Sequence, residues 1–315
     1  MSILVSGSLA YDKIMNFPGL FADHILPEKI HALNVSFPIF ELRQNFGGTA
    51  GNIAFNLALL EVAPVIISTA GNDFAKYEQW LTEHKICTDQ IKKISDMPCA
   101  CAHIITDEAD NQITGFHFGA MQIPVGEISE SIIKSAKLAI VSAGNIDDMT
   151  ILPKQYKQCG LPYIFDPGQA IPALSENQIK DCIAGAKILI VNDYELSLIL
   201  QKTGLSKADI IKQVEILITT FGEKGSLIER GAKKFEIPAA KPKNISDPTG
   251  AGDAYRAGLI KGLLLGWPLD KVGRLAATVA AYTVEKYGTQ THAFSWESLQ
   301  QRYKQNFGDI NSTRL

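Results

Sequence analysis

The 315-residue sequence lacks the patterns that define several common protein classes. Its five cysteines are an odd number without a Cys-x-x-Cys pair, and its six histidines show no His-x-x-x-His spacing, so we expect neither a disulfide framework nor a zinc site. No apolar run approaches the ~20 residues that a membrane-spanning helix needs. The apolar start at residues 1–5 has no basic segment before it, unlike a signal peptide. We therefore expect a cytoplasmic protein that does not bind membranes.

Charge and motif content exclude further classes. The formal net charge is −3 and basic residues are scattered, so no positive field invites nucleic acid. The sequence has no G-x-x-x-x-G-K-[ST] loop and no protein-kinase H-R-D or D-F-G set. After the first apolar run, the spacing from Gly7 to Asp12 also lacks the G-x-G-x-x-G pattern of dinucleotide-binding folds.

Short apolar runs alternate with helical patterns over most of the chain. With 46% hydrophobic residues, the chain can bury a large core. Such alternation predicts an α/β fold of three layers, with a mostly parallel central sheet between helices. The predicted strands centre on 3–5, 65–67, 138–141, 163–165, 188–191 and 216–219. The predicted helices cover 50–60, 74–85, 128–135, 150–158, 175–184, 193–202, 206–213 and 254–265.

Two regions break the alternation and predict a second, smaller β-sheet. Residues 13–46 contain three prolines and no helical period, and residues 97–119 alternate like a hairpin with a turn at 107–111. We assign these regions to a lid, and residues 1–12, 47–96 and 120–315 to the α/β core. Ligands bind at the carboxyl ends of parallel strands, so the residues that follow each strand are of interest.

Residues 247–253, Asp-Pro-Thr-Gly-Ala-Gly-Asp, carry the strongest chemical signal. Gly250, Ala251 and Gly252 would present backbone N–H groups at a helix N-terminus, an arrangement that binds phosphate. Asp253 would lie in the first turn, where a carboxylate can accept the proton of an attacking hydroxyl. The alternative is a glycine-rich turn with an aspartate placed to favour the helix dipole.

Polar residues in a second glycine-rich segment and after the first predicted strand suggest a site for a hydroxylated ligand. The glycines of segment 46–52, which are Gly47, Gly48 and Gly51, allow close backbone approach, and Asn52 offers both a donor and an acceptor. Asp12 follows the first strand and could accept bonds from two vicinal hydroxyls. Alone, Asn52 is also a good helix-start residue and Asp12 an ordinary turn aspartate.

A further pair of motifs follows two predicted core strands. Asn192 and Glu195 have the spacing of a capping box at a helix start. Thr220, Gly222 and Gly225 form a Thr-x-Gly-x-x-Gly pattern after the strand at 216–219, and a plain hairpin turn would explain its glycines.

These motifs together resemble the ribokinase-like (PfkB) family of sugar and nucleoside kinases. Residues 247–254 resemble the family's C-terminal signature, which implies MgATP-dependent phosphorylation of an alcohol, an anion hole at 250–252 and Asp253 as the base. Gly-Gly-x-x-x-Asn resembles the N-terminal signature, which implies that Gly48 and Asn52 hold the sugar and that Asp12 clamps it. Thr49 stands where ribokinases proper usually have Lys.

The resemblance also implies sites for nucleotide and cations. Asn192 and Glu195 match the Asn-x-x-Glu that organises Mg²⁺ and phosphate, partly through water, as Mg²⁺ tolerates. Thr220, Gly222 and Gly225 would form a loop at the ATP site. Oxygens near five positions would bind K⁺, although His292 replaces a smaller residue there: Asp247, Thr249, Thr283, Gly288 and His292.

Residues of the predicted lid decide the expected substrate. The runs 10–15, 24–27, 111–121 and 165–169 look like bacterial nucleoside kinases of adenosine-kinase type. A purine needs a flat apolar slot with a few edge contacts. Candidates for the slot are Phe116, Phe118, Met121 and Phe37, candidates for the base edge are Gln112 and His117, and Asp166 is a further substrate-binding candidate. These aromatics would equally serve to hold the lid sheet together.

The sequence thus predicts in-line transfer of phosphate from ATP to the 5′-hydroxyl of a nucleoside, with adenosine or purine nucleosides more broadly as acceptor. The alternatives are a sugar kinase acting on ribose, fructose or a relative, and a non-catalytic nucleotide-binding regulator on the same scaffold. Exposed lid strands suggest a homodimer by analogy.

Overall fold

The first apolar run of the chain becomes a strand buried on both faces. The computed structural model describes residues 2–109 and 111–309. In β1 (Ser2–Ser6), Ile3 and Val5 pack into one hydrophobic core while Leu4 packs into a second. Because side chains of a strand alternate between its faces, β1 lies between two layers of helices.

The large sheet has nine strands within the described residues. Its strands in chain order are β1, β4 (Ala63–Ala70), β5 (Ile91–Lys93), β8 (Ala136–Ser142), β9 (Tyr163–Asp166), β10 (Ile188–Asn192), β11 (Ile216–Thr220), β12 (Ser226–Arg230) and β13 (Lys233–Ile237). Their spatial order is β13-β12-β11-β10-β9-β8-β1-β4-β5. The pairs β11·β12 and β12·β13 are antiparallel and the other pairs are parallel.

The smaller sheet has four strands within the described residues. They are β2 (Ala10–Asn16), β3 (Leu42–Gly47), β6 (Ala100–Thr106) and β7 (Gln112–His117), in the order β3-β2-β6-β7. The β2·β6 pair is parallel and the two outer pairs are antiparallel.

Helices cover both faces of the large sheet. One face carries α1 (Thr49–Leu59), α2 (Ala75–Glu83), α8 (Ala251–Leu264), α9 (Leu269–Thr283) and α10 (Trp296–Phe307). The other carries α3 (Glu130–Ser135), α4 (Asp148–Cys159), α5 (Glu176–Ile183), α6 (Asp193–Thr203) and α7 (Lys207–Gln213). Among the residues that the structure describes, no helix is long and apolar enough to cross a membrane.

The predicted α/β class is therefore confirmed: a large, mostly parallel sheet with helices on both sides, plus a smaller sheet. The prediction missed β5, β12, β13, α9 and α10. Helix α9 has a clear apolar face, with Val272, Leu275 and Val279 buried, so its periodicity was present in the sequence and was overlooked.

Several predicted local features differ from the structure. Helix α8 begins at Ala251, before the helical run at 254–265, and Asp253 lies in its first turn as the glycine motif predicts; Gly250 caps the helix with φ +79°. Asp12 lies within β2, in the smaller sheet, and not in a turn after the first strand. Residues 17–41 add two short 3₁₀ turns, at Phe21–Asp23 and Pro27–Ala32, between the strands of that sheet. Of the turn predicted at 107–111, Asp110 lies outside the described residues.

Candidate active site

Three polar residues end three adjacent parallel strands at the same edge of the large sheet. Asp166 ends β9, Asn192 ends β10 and Thr220 ends β11, and Asn192 pairs directly with Thr220. The carboxyl ends of parallel strands are where α/β sheets bind ligands. The N-terminus of α8 meets them across one cleft.

That cleft has a volume of about 740 Å³ and is lined by residues of both sheets. This volume suits a small-molecule ligand. It brings together most of the predicted site residues: Asp12, Gly48, Asn52, Phe116, Asp166, Asn192, Glu195, Thr220, Thr249, Gly250, Gly252 and Asp253. Gln112, Gly222, Gly225, Asp247 and Ala251 do not line it.

The start of α8 presents open hydrogen-bond donors to this cleft. Gly250 caps the helix in a left-handed conformation, and a Cβ there would lie 2.9 Å from Cγ2 of Thr289. The N–H of Ala251 donates to the carbonyl of Pro248 at 3.2 Å. The backbone N–H groups of Gly252 and Asp253 have no acceptor within the described residues. A helix N-terminus with open donors attracts anions, so this is a place where phosphate oxygens can bind.

Asp253 is a carboxylate whose environment suits proton transfer. Burial raises its pKa to about 7, against the opposing effects of the Arg256 charge and of a hydrogen bond from Asn52. The bond from Nδ2 of Asn52 to Oδ2 of Asp253 is 2.9 Å long. A general base works best when its pKa lies near the working pH.

A chain of hydrogen bonds fixes the orientation of Asn52. Nε1 of Trp80 donates to Oε1 of Gln290 at 3.0 Å, which leaves Nε2 of Gln290 as the donor to Oδ1 of Asn52, also at 3.0 Å. The hydroxyl of Thr289 lies 2.7 Å from the same Oδ1. An amide whose oxygen accepts these bonds must direct its nitrogen at Asp253.

Asp12 reaches the cleft from the smaller sheet. Burial raises its pKa to about 6, and the negative charge of Asp247 adds to the effect. The neighbouring Gly47 has no room for a side chain, since a Cβ would lie 2.3 Å from Oδ2 of Asp12. Gly48 is more strictly constrained, since it has φ +88° and its Cβ would meet the backbone carbonyl oxygen of Ser8 at 2.5 Å.

Asn192 and Glu195 form the capping box that their spacing predicts. Oδ1 of Asn192 accepts from the N–H of Glu195 at 2.7 Å, and Oε2 of Glu195 accepts from the N–H of Asn192 at 2.8 Å. Burial raises the pKa of the Glu195 carboxyl, although the bond from the Asn192 N–H opposes the shift. Gly222 and Gly225 belong to a tight connection between β11 and β12, with φ +59° and +91°.

Aromatic residues at the end of β7 line the cleft. Phe116 and Phe118 both line it, with their rings in edge-to-face contact at 5.2 Å, and Met121 lies beside them. Phe37 packs instead on Phe17 and Phe21, at 4.9 and 5.0 Å, in a separate aromatic cluster. The proposed slot therefore does not include Phe37.

The two candidates for the base edge lie elsewhere on β7. Gln112 begins this strand opposite Thr106, at the hairpin end away from Phe116. His117 pairs with Cys101 and does not line the cleft.

The residues predicted to bind potassium belong to two separate hydrogen-bonded groups, one around Asp247 and one around His292. Asp247 accepts the N–H of Thr249 at 2.9 Å and that of Gly288 at 3.1 Å, one on each carboxylate oxygen. His292 is buried, with Nε2 at 2.8 Å from Oδ1 of Asn56 and 3.3 Å from the Thr283 hydroxyl.

Sequence reasoning missed Arg256 and Gln290. Nε and Nη2 of Arg256 donate to the two oxygens of Asp166 at 2.5 Å each. Gln290 reaches Asn52 from 238 residues away in the chain. No local motif marks either residue, but Arg256 follows Asp253 by three positions, a spacing that places both on one face of a helix.

Comparison with known proteins identifies the family of this chain. A family model described as pfkB family carbohydrate kinase matches residues 10–296. The chain belongs to the pfkB family. Members of this family are kinases, so the chain is a phosphotransferase with a hydroxyl acceptor, and family membership implies ATP as the phosphate donor.

Individual pfkB relatives are similar over nearly their whole length. A nucleoside kinase of Methanocaldococcus jannaschii is 32% identical over 89% of this chain and 92% of its own. The structure of Burkholderia thailandensis nucleoside kinase in complex with inosine matches with a TM-score of 0.88 and 36% identity, covering 97% of this chain and 98% of that one. Bacillus subtilis ribokinase is 24% identical over 78% of this chain and 83% of its own.

Proposed function

We propose that this pfkB-family chain is an ATP-dependent nucleoside kinase that phosphorylates the 5′-hydroxyl of a purine nucleoside, with adenosine and inosine as the first candidates. The observation that carries the proposal is the single cleft. It joins Asp253 at the helix N-terminus to the aromatic pair Phe116 and Phe118 on one side, and to the sheet edge at Asn192 on the other. The similarity to nucleoside kinases, one of them bound to inosine, supports a nucleoside acceptor.

In the proposed reaction, the nucleoside ribose binds between Asp12, Gly48 and Asn52. The 5′-oxygen attacks the γ-phosphorus of ATP, the bond from that phosphorus to the bridging oxygen breaks, and ADP leaves with the bonding electrons. The hydroxyl proton passes to the carboxylate of Asp253. The open N–H groups of Gly252 and Asp253 stabilise the charge on the transferring phosphoryl group.

We propose that the smaller sheet is a lid. It contributes Asp12 and Phe116 to the cleft, and Phe118 directly follows its strand β7, so its position decides whether the acceptor site is complete. A closed lid excludes water, which would otherwise compete with the 5′-hydroxyl for the phosphoryl group.

Magnesium fits the carboxylate side of the cleft. Glu195 is partly buried there, and its Oε1 has no hydrogen-bond partner within the described residues. Within residues 2–109 and 111–309, no group of three or more His, Cys, Asp or Glu side chains is placed to hold a metal ion. Glu195 would therefore hold Mg²⁺ together with water and the ATP phosphates, a mode that suits this ion, and Mg²⁺ would neutralise phosphate charge.

Potassium activation is a separate proposal, tested by comparing turnover in K⁺, Na⁺ and Li⁺ salts. The backbone bonds of Asp247 to Thr249 and Gly288 would support a K⁺-binding loop, and K⁺ would stabilise the conformation that starts α8. His292 does not fit such a site, since it is turned toward Asn56.

A homodimer is the proposed assembly. Phe40, Leu42 and Ile113, on or beside the smaller sheet, expose 85%, 60% and 42% of their surface. A second copy of the chain would bury these apolar side chains. Light scattering coupled to size-exclusion chromatography tests this assembly.

A sugar kinase of the same family is the competing function. The test is ATP consumption by the purified chain with a panel of nucleosides and free sugars, at equal concentrations with Mg²⁺. A nucleoside kinase should use adenosine or inosine far better than ribose or fructose. Equal rates with ribose and adenosine would contradict a role for the base.

A further inference from the structure

Arg256 is a buried cation with one nitrogen left open toward the cleft. Only 8% of the residue is exposed. Its Nε and Nη2 bind the two oxygens of Asp166 in a fork at the end of β9. The remaining nitrogen, Nη1, has no hydrogen-bond partner within residues 2–109 and 111–309.

Nη1 lies beside the open start of α8. A Cβ built on Gly252 would be 2.7 Å from this nitrogen, so the guanidinium occupies the space that a side chain at 252 would need. The N–H of Gly252 is itself without an acceptor. A positive charge and an open backbone donor thus lie side by side.

The charges around the cleft make this cation unusual. The described residues that line it include four carboxylates, from Asp12, Asp166, Glu195 and Asp253, while Arg256 is the one lysine or arginine among them. A bound nucleoside triphosphate adds more negative charge. Phosphoryl transfer generally requires cations near the transferring group, and a guanidinium is well suited to that role.

We propose that Nη1 of Arg256 binds the transferring phosphoryl group as a catalytic residue, and that Asp166 acts as a positioning residue that fixes the guanidinium plane. This proposal rests on the kinase function proposed above. Arg256 keeps its proton throughout and offers it as a hydrogen bond to a phosphoryl oxygen while the 5′-oxygen bond forms and the ADP bond breaks.

Asp166 explains why an arginine is needed and a lysine would not suffice. Its carboxylate holds two of the three guanidinium nitrogens, so the third has a defined direction. Asp166 was predicted to bind substrate, but both of its oxygens already accept from Arg256. Its role in this proposal is to direct Arg256.

The test compares Arg256→Lys with Arg302→Lys. Arg302 provides a matched control because it also makes a buried fork, to both oxygens of Glu285 at 2.8 and 3.2 Å, and does not line the cleft. For each variant, kcat, the KM for ATP, the KM for the nucleoside and the melting temperature are measured. We expect R256K to lower kcat about 100-fold, as loss of an oxyanion contact does. Its nucleoside KM should change little, whereas R302K should lower the melting temperature and keep kcat.

Asp166→Asn supplies a second variant of nearly the same shape. It should fold and reduce kcat, by less than R256K, because the guanidinium keeps one weaker hydrogen bond. A kcat of R256K within threefold of wild type, with a loss of melting temperature like that of R302K, would overturn the proposal. If R256K does not fold, an unchanged kcat in D166N would overturn the role of Asp166 and with it the proposed orientation of Arg256.

Binding measurements separate this proposal from the proposed function. The affinity of wild-type and R256K protein for MgATP is measured by calorimetry, without any acceptor. If no nucleoside is phosphorylated but R256K still weakens MgATP binding relative to R302K, the nucleoside acceptor is wrong and the phosphate contact stands. If the wild type does phosphorylate nucleosides, and R256K has the same MgATP affinity and the same kcat as wild type, then only the contact of Arg256 with the phosphoryl group is rejected.

Discussion

Nδ2 of Asn52 donates a 2.9 Å hydrogen bond to Oδ2 of Asp253. The amide cannot turn around, because its oxygen already accepts from Nε2 of Gln290. Since an amide nitrogen can only donate, Oδ2 is an acceptor whether or not the carboxyl group is protonated. The proton taken from the substrate must therefore be held on Oδ1, and Asn52 determines which oxygen of Asp253 is the base.

The first prediction concerns pH. Burial raises the pKa of Asp253 to about 7, and the carboxylate is the form that accepts a proton. In the free enzyme, kcat/KM for the nucleoside should therefore rise with pH through about 7 and level off above it, with a fall of up to about tenfold per pH unit on the acid side. Ionisation of Asp12, with a pKa of about 6, should steepen that acid limb. A kcat/KM that stays constant from about pH 6 to 8 would contradict the assignment of Asp253.

The second prediction concerns the hydrogen-bond chain behind Asn52. Gln290→Met removes the donor to Asn52 and leaves the indole N–H of Trp80 unpaired, while the Tyr77 hydroxyl keeps its bond to the carbonyl of Gly47. Leaving buried polar groups unpaired costs about 1–3 kcal/mol. We expect the free energy of unfolding to fall by that amount and kcat to fall about tenfold.

Gln301→Met is the control for this substitution, since Gln301 is exposed on α10. It should change neither the denaturant midpoint nor kcat. A Gln290 variant that is destabilised but has normal kcat would show that the chain supports the fold and does not position Asp253.

The third prediction concerns the glycine that starts α8. Gly250→Ala places a β-carbon at φ +79° and 2.9 Å from the Thr289 side chain, which contacts Asn52. The backbone strain costs about 1–3 kcal/mol and the displaced Thr289 should lower kcat more than tenfold. Gly266→Ala has a similar φ of +69° with nothing within 4 Å. It should show a comparable loss of stability in chemical denaturation with normal kcat, so equal kcat losses in the two variants would contradict the explanation.

The fourth prediction concerns the aromatic end of the cleft. Phe116→Ala removes one of the two rings that line it and should raise the nucleoside KM about tenfold by loss of stacking area. The KM for ATP should not change. Leu265→Ala, at a position 43% exposed and outside both the cleft and the proposed dimer surface, is the control and should leave both values unchanged. If Phe116→Ala raises the KM for ATP and not for the nucleoside, the two ends of the cleft have been assigned in reverse.

Much of the fold was predictable because it depends on local patterns. Strands such as β10 are continuous apolar runs between helices with clear caps, so their positions follow from the sequence. The start of α8 was predictable from its glycine motif, which placed Asp253 in the first turn, whereas the left-handed conformation of Gly250 is known only from the structure.

The site was predictable where a motif is contiguous and unpredictable where it is assembled by tertiary contacts. The segment 247–253 and the pair Asn192 and Glu195 could be found by spacing alone. The partnership of Gln290 with Asn52 joins residues 238 positions apart, so only the fold reveals it. Phe37 illustrates the converse. An aromatic side chain suits a base slot, but Phe37 packs on Phe17 and Phe21 and does not line the cleft.

The most direct test is to incubate wild-type protein and Asp253→Asn with adenosine or inosine and MgATP, and to identify the product by phosphorus NMR. The wild type should form the nucleoside 5′-monophosphate with stoichiometric ADP. The Asn variant should lose about 1,000-fold in kcat, within the range for a general base, while its melting temperature at pH about 8 is no lower than that of wild type. The melting temperature should hold because a buried carboxylate with a raised pKa costs stability once it is ionised. A wild type that forms no 5′-phosphate from any nucleoside, or a folded Asn variant with full activity, would contradict the account.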